Sequence, residues 1–257
     1  MAPEGGKEPL RAEFSPYSMG SDHDVYQDSS FKIPAIYLND WPDRYIHTNF
    51  DSAANTDPTK LKRAAFIGAA SGYSLASLKG KGDVFRLALF GNYGSPRRLE
   101  IYAIRRWILP SEEQENITWN WNLYERAVAN STESWLGPEG KLDLEIGTHR
   151  AIKATGDGLL RFARKTEPRG PLTVFGYDYF AEHAKAAGVA TPKLLSYEGL
   201  WGAGEEYAYE VLNFVDAKRS AQQIRDAVSA EYGPVPLEMV VEYLRALEKI
   251  GVVEQAK

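Results

Sequence analysis

The chain has 257 residues, of which 44% are hydrophobic and 25% charged, a composition that can bury a core and argues against disorder throughout. Its formal net charge of −5 does not suit a protein that coats nucleic acid or an anionic membrane. Because the sequence has no cysteine, disulfides, thiolate zinc sites and cysteine nucleophiles are excluded, and any metal must be bound by His, Asp or Glu.

The N-terminal part predicts a short strand followed by a capped helix. Residues 1–10 lack the apolar stretch of a secretory signal peptide, and no segment reaches the roughly 18 apolar residues of a membrane span. Residues 33–38 predict a buried strand. After a polar stretch, Asp57 before Pro58 predicts a helix that continues to about Leu78.

Residues 83–136 predict a mainly helical region that is broken by glycine and proline near residues 91–96. Four tryptophans in this region favour packing in a core or between domains over a peptide-stacking surface. They are Trp107, Trp119, Trp121 and Trp135. Residues 137–171 alternate Gly, Pro and charge, which indicates a loop-rich connector or a poorly packed helix pair.

The C-terminal part has the clearest periodicity. Ser220 and Gln223 predict a capping box, and Gly233 ends that helix. A second helix opens at Pro236 and precedes a possible edge strand at residues 252–253, an outline typical of a winged-helix-like module. Residues 200–257 contain six Lys or Arg against ten Asp or Glu, which favours a packing or protein-interaction role over DNA reading.

Chemistry-bearing residues cluster in residues 20–51. The segment Ser21-Asp22-His23 precedes the predicted strand, and Tyr45-Ile46-His47-Thr48 follows it, with Asp51 shortly after. Ligands gather in loops beyond the carboxyl ends of strands in open α/β sheets. Neutral imidazole suits zinc, and a carboxylate such as Asp51 can fix its tautomer. The alternative is that His47 is an ordinary surface histidine.

Residues 21–61 resemble the aminopeptidase-Y and bacterial leucyl-aminopeptidase type of zinc exopeptidase, in a superfamily that also holds glutamate carboxypeptidases and the transferrin receptor. The resemblance is carried by the Ser-Asp-His and Tyr-Ile-His-Thr elements in this order, separated by the predicted strand. It implies that His47 is the last zinc ligand and that Asp22, His23 and Tyr45 line the substrate rim. Two alternatives stay open, in which Asp22 caps a helix and His23 is a satisfied loop residue.

The resemblance also implies two zinc ions, further ligands from a His-x-Asp motif and a general-base glutamate, all upstream of the Ser-Asp-His element. Residues 1–20 contain no histidine and only Glu4, Glu8 and Glu13 as carboxylates. We therefore expect the chain to be the C-terminal portion of a longer, exported aminopeptidase, inactive without its missing N-terminal half because one imidazole cannot complete a zinc site.

These observations predict an α/β domain followed by a helical region and a winged-helix-like module. Residues 1–80 would form the end of the zinc-exopeptidase catalytic domain, residues 81–172 the aromatic-rich helical region with its connector, and residues 173–257 the accessory domain. The expected partners are a peptide substrate, the missing half and a protein or second copy at the accessory domain, with no nucleic acid or membrane. The alternative function is a non-catalytic protein-interaction module.

Overall fold

The computed structural model describes residues 12, 17–79, 98–131, 133, 153–173 and 179–256. Within these ranges the chain is mixed but mostly helical, with one small two-stranded antiparallel sheet. No helix in this part of the chain is long and apolar enough to cross a membrane.

Helices and strands follow one another in this order: α1 (His23–Gln27), α2 (Pro58–Ala76), α3 (98–107), α4 (Ser111–Asn130), β1 (Phe162–Arg164), α5 (Tyr179–Ala186), α6 (Gly204–Asn213), α7 (Ala221–Tyr232), α8 (Leu237–Lys249) and β2 (Val253–Gln255). Single turns of 3₁₀ helix lie at Ala53–Asn55, Gly156–Leu159 and Lys193–Ser196.

Helices α5 to α8 and the sheet enclose one apolar cluster, which we call the C-terminal core. The apolar residues of α8 recur at helical spacing, so one stripe of the helix faces inward. The predicted capping box of α7 is confirmed, because Gln223 N donates to Ser220 Oγ (3.3 Å) and Ser220 N donates to Gln223 Oε1 (2.9 Å). Gly233 ends α7 with a φ of 101°, a conformation that favours glycine.

The sheet joins two segments that are distant in sequence. Phe162 lies opposite Gln255, and Arg164 lies opposite Val253. The expected edge strand near residues 252–253 is thus present as β2, whereas β1 falls in the segment for which a loop-rich connector was expected. That expectation was wrong at residues 162–164, where buried Phe162 anchors a strand in the core; residues 137–152 of the connector lie outside the described residues.

Helix α4 packs against α7 and ties the helical region to the C-terminal core. Ile117 is fully buried there, and Asn116 Nδ2 donates to the carbonyl oxygen of Asp226 (2.9 Å). Trp121 packs in this contact, as predicted, but Trp107 is 85% exposed, so the packing expectation was wrong for that residue. Trp135 lies outside the described residues.

Helix α2 begins where the sequence predicted. Asp57 Oδ1 accepts a hydrogen bond from Thr59 N (2.7 Å), which caps the helix, yet no residue of α2 is buried. The preceding residues 33–38 form extended chain but no strand, and Ile36 is 66% exposed, so the expected buried strand is corrected. A strand needs a partner whose backbone groups it can bond, and no other described segment supplies one.

Candidate functional site

The loop that carries His47 is held by short-range polar contacts. Asp43 Oδ1 accepts hydrogen bonds from the backbone nitrogens of Tyr45 (2.8 Å) and Ile46 (3.2 Å). Thr48 Oγ1 donates to the Tyr45 carbonyl oxygen (2.6 Å). These Asx- and ST-type contacts fix a turn without burying it, because every residue from 41 to 50 is exposed.

His47 sits at the tip of this turn with a φ of 60°, in the left-handed region that few non-glycine residues adopt. Its imidazole is exposed and makes no hydrogen bond to any described residue. Asp51 is also exposed, and the expected contact between its carboxylate and His47 is not formed. Within the described ranges, no group of three or more His, Asp or Glu side chains is arranged to hold a metal ion.

The Ser-Asp-His segment has a different environment, because it is partly enclosed. His23 is buried, its Nε2 donates to the carbonyl oxygen of Ser18 (2.8 Å), and its ring stacks on Tyr37 with centroids 4.3 Å apart. The Nδ1 atom is buried without a hydrogen-bond partner. The ring of His23 therefore connects the segment to the extended chain after α1.

The other two predicted rim residues lie at the surface. Asp22 occupies the N-cap position of α1, as one alternative expected, but its carboxylate accepts no capping hydrogen bond. Tyr45 is 40% exposed, at the base of the His47 turn. Asp22 and Tyr45 are therefore accessible to a ligand, whereas His23 is not.

Two buried carboxylates near this segment were missed by the sequence reasoning. Asp24 Oδ1 accepts a hydrogen bond from the hydroxyl of Tyr17 (2.6 Å), and its Oδ2 accepts one from Gly20 N (3.0 Å). Burial, reinforced by this contact with Asp24, raises the pKa of the Tyr17 hydroxyl. Tyr17 in turn stacks on Tyr209 of α6 with centroids 4.4 Å apart. The only signal in the sequence is the recurrence of aspartate at residues 22, 24 and 28.

The second missed carboxylate, Asp28, belongs to a buried group of polar contacts that we call the Arg164 cluster: Asp28, Ser29, Ser30, Arg164 and Gly170. Arg164 Nη1 lies 3.0 Å from Asp28 Oδ1 and donates to Ser29 Oγ (2.7 Å), while Nη2 donates to the Gly170 carbonyl oxygen (2.8 Å). The side chains of Arg164 and Asp28 are 7% and 1% exposed. The cluster joins the end of α1 to β1 and the loop after it.

Three glutamates of α6 and α7 have raised pKa values because they are withdrawn from water. Burial raises the pKa of Glu231 to about 7, against the opposing effects of Tyr232 and Arg105. Burial also raises the pKa of Glu206 and of Glu210, the latter with a further contribution from Glu231. These groups make the interface between α6 and α7 sensitive to pH.

A groove of about 550 Å³ runs along α8, bounded by residues 155–158 and 189–192. Its walls combine apolar side chains with Arg245 and Lys249, and Arg245 Nη2 pairs with Asp157 Oδ1 at 2.9 Å. None of its lining residues belongs to the predicted site.

Comparison of the chain with protein-family models, curated proteins and solved structures finds no match. These comparisons lend no support to the expected resemblance to zinc exopeptidases, which rests on the two sequence elements in residues 21–61. The structure adds the surroundings of those elements: an exposed turn at His47, whose imidazole bonds to none of the described residues, and a partly enclosed segment at His23.

Proposed function

We propose that this chain is the C-terminal portion of a co-catalytic zinc aminopeptidase, which hydrolyses N-terminal peptide bonds, and that His47 is one of its zinc ligands. The observation that supports this most directly is the exposed imidazole of His47, free of hydrogen bonds to the described residues at the tip of a locally braced turn. A ligand side chain needs such an accessible nitrogen.

A second support is the large apolar surface that the described residues leave uncovered. It spans the extended chain, the His47 loop and α2, and we name it the uncovered surface; its most exposed members are Ile36, Trp41, Phe50, Phe66 and Tyr73. Large apolar side chains exposed in this number within one segment favour an interaction site in soluble proteins. It fits the edge of an α/β catalytic domain whose other strands and helices would cover residues 33–38 and α2.

In the complete site, zinc would activate water and stabilise the charge that develops on the scissile carbonyl. His47 would donate one nitrogen to a metal ion, and Asp22 and Tyr45 would lie at the rim where the peptide enters. The described residues offer no other nearby set of ligands, and a stable zinc site needs three or four. The remaining ligands and the general base would come from the rest of the catalytic domain, so the chain alone would be inactive.

The C-terminal core would be an accessory, winged-helix-like module of this enzyme. Its α7, α8 and β2 follow the order of that fold, and α8 carries glutamates where a DNA-reading helix would carry cations. We propose a packing or protein-interaction role for it. We also propose that the complete enzyme is exported from the cytoplasm.

The second candidate is a non-catalytic interaction protein, in which the uncovered surface binds a partner and His47 has no metal. The uncovered surface favours this candidate as much as the first, because it requires only a covering partner. Zinc binding separates the two, since only an enzyme needs the metal.

The test begins with the 257-residue chain, for which we expect no stoichiometric zinc after dialysis and no cleavage of aminoacyl nitroanilides. The gene is then expressed with its upstream flanking DNA, and the natural product is expected to contain two zinc ions and to cleave these substrates. His47→Ala should lower zinc content and activity, whereas His183→Ala, at an exposed histidine of α5, should change neither.

Stoichiometric zinc and activity in the 257-residue chain would contradict the proposal that the other zinc ligands and the general base lie outside this chain. A natural product without zinc or peptidase activity would favour the interaction protein.

A further inference from the structure

The C-terminal core contacts the end of α1, five residues after the Ser-Asp-His segment, through the buried side chain of Arg164. We infer that Arg164 is a positioning residue for the substrate rim, so that the accessory core sets the placement of Asp22 and His23. The inference rests on the proposed aminopeptidase function for its link to substrate, but the contact itself belongs to the chain as described. Arg164 lies 136 residues after Asp28, so the contact spans more than half of the sequence.

The contacts of the Arg164 cluster fix the position of residues 28–30 but contribute little to net stability. Its two charged side chains are almost completely buried, and the desolvation of such a pair offsets much of its attraction, so its net stabilisation is small. The planar guanidinium, however, donates in fixed directions to Asp28, Ser29 and Gly170 at once. A lysine ammonium cannot donate hydrogen bonds in these fixed, planar directions. The arrangement therefore determines where residues 28–30 lie.

Helix α6 makes further contacts with α1 and with the residue directly after Asp28. The hydroxyl of Tyr209 donates to the Asp24 carbonyl oxygen (2.8 Å), and Ser29 N donates to Asn213 Oδ1 (2.8 Å). Helix α1 has only five residues, too few to be stable by itself. Its position, and with it that of Asp22 and His23 at its start, therefore depends on α6 and β1.

The His47 loop lacks such support. Residues 41–56 make their hydrogen bonds within the loop, and among the described residues none of them bonds to α6 or β1. The core thus holds α1, at whose start Asp22 and His23 lie, whereas the His47 loop has no such contact with α6 or β1 among the described residues. Changes in the Arg164 cluster should then affect substrate placement and leave zinc binding unchanged.

The contact is tested first by amide hydrogen exchange in the 257-residue chain. Arg164→Met should accelerate exchange at the amides of Asp24, Val25 and Tyr26 by about tenfold or more, while the amides of α8 stay protected. Arg164→Lys should give an intermediate acceleration. Arg219→Met is the matched control, because Arg219 also pairs with an aspartate, Asp216, but its side chain is 45% exposed. This variant should leave exchange unchanged in both α1 and α8.

If Arg164→Met fails to fold, Asp28→Asn replaces it, since the amide keeps the shape of the carboxylate and removes its charge. Unchanged exchange at α1 in whichever of these variants folds would overturn the inference.

The link to substrate is tested in the natural form of the enzyme. Arg164→Met should raise KM for peptide substrates by about tenfold, with kcat within about twofold and zinc content unchanged, and Arg164→Lys should partly restore KM. A merely structural role would lower the active fraction and hence kcat, with KM unchanged, and that result would overturn the positioning role. A natural protein without aminopeptidase activity would overturn the proposed function and the link to substrate together, while faster exchange at α1 would still establish the contact.

Discussion

Tyr207 satisfies the end of α7 with a single hydroxyl group. The side chain is fully buried, and its oxygen lies 2.6 Å from the Tyr232 carbonyl oxygen and 2.8 Å from that of Gly233, to which it donates. The last carbonyl groups of a helix have no partner within the helix, so they must be satisfied from outside when they are buried. Here α6 supplies the hydroxyl donor for the Gly233 carbonyl, and the Tyr232 carbonyl oxygen also accepts a hydrogen bond from Trp201 N (3.0 Å).

Tyr207→Phe should therefore lower the free energy of unfolding by about 1 to 3 kcal/mol, because the buried Gly233 carbonyl group loses its hydroxyl donor while the ring is kept and the Tyr232 carbonyl keeps Trp201 N. Urea denaturation measures the change. Tyr73→Phe is the control, since Tyr73 is 76% exposed on α2 and should cost nothing measurable. Equal stability of the two variants would contradict the role of this hydroxyl.

Glu231 makes stability depend on pH in a defined direction. Burial raises its pKa from the ordinary 4.5 to about 7 in the folded protein. Between these two values the folded state keeps a proton that the unfolded state releases. The free energy of unfolding should therefore fall as pH rises from about 4.5 to about 7, and the contribution should be fully present only below this interval.

Glu231→Gln should remove that part of the slope, so that the variant becomes more stable relative to the parent chain as pH rises. Denaturation curves at intervals between pH 4 and pH 8 measure the effect. The control is Glu254→Gln, at an exposed glutamate of β2. Parallel stability profiles of parent and Glu231→Gln would show that the carboxyl group is not withdrawn from water.

Helices α2 and α6 both contain glycine, but Gly68 of α2 lies in open space whereas Gly204 of α6 is closely packed. A Cβ atom added at Gly68 of α2 would meet nothing within 4 Å, whereas one added at Gly204 of α6 would lie 2.3 Å from the Leu194 carbonyl oxygen. Glycine in a helix costs about 1 kcal/mol relative to alanine. The two positions therefore separate helix propensity from packing.

Gly68→Ala should stabilise α2 locally by up to about 1 kcal/mol, seen as slower amide exchange within that helix. Gly204→Ala should destabilise the C-terminal core by several kcal/mol, because α6 must move away from residues 194–195. Thermal and urea unfolding measure the second effect. Destabilisation by Gly68→Ala would indicate that α2 is covered in solution.

The elements that could be predicted from the sequence are those with local signals. The capping box at Ser220, the Asp57-Pro58 start of α2 and the apolar stripe of α8 each depend on residues within one or two turns. The strand β1 has only three residues and depends on a partner about 90 positions later, so its segment was interpreted as a loop.

The candidate site likewise has one part that the sequence indicates and one part that it does not. The His47 turn and the Ser-Asp-His segment could be recognised because their residues are contiguous. The Arg164 cluster could not, because nothing near Asp28 in sequence indicates an arginine 136 positions away. Extended residues 33–38 were expected to be a strand from their apolar character, but strand formation depends on a neighbour that the described residues do not contain.

At the scale of the whole molecule, buried and exposed apolar residues are separated. The C-terminal core contains most of the buried apolar side chains, while residues 31–79 leave large apolar groups in water. The chain is therefore expected to associate with itself through the uncovered surface when no partner is present.

Phe66→Glu should weaken this self-association by roughly ten- to a hundredfold, since burying one phenylalanine contributes about 1.5 to 3 kcal/mol. Sedimentation velocity over a concentration series measures it. Leu159→Glu is the control, because Leu159 is 61% exposed in the 3₁₀ turn at Gly156–Leu159 and is not part of the uncovered surface. A chain that is monomeric at all concentrations would contradict the expectation.

The contact between Tyr209 and Asp24 sets an order of events during synthesis. The two residues are 185 positions apart, and at about 5 to 20 residues per second the ribosome needs roughly 10 to 40 seconds to add the later one. Until then α1, with Asp22 and His23 at its start, lacks its contacts with α6. A message that ends early, even one that encodes His23 and His47 intact, would yield a product without this arrangement.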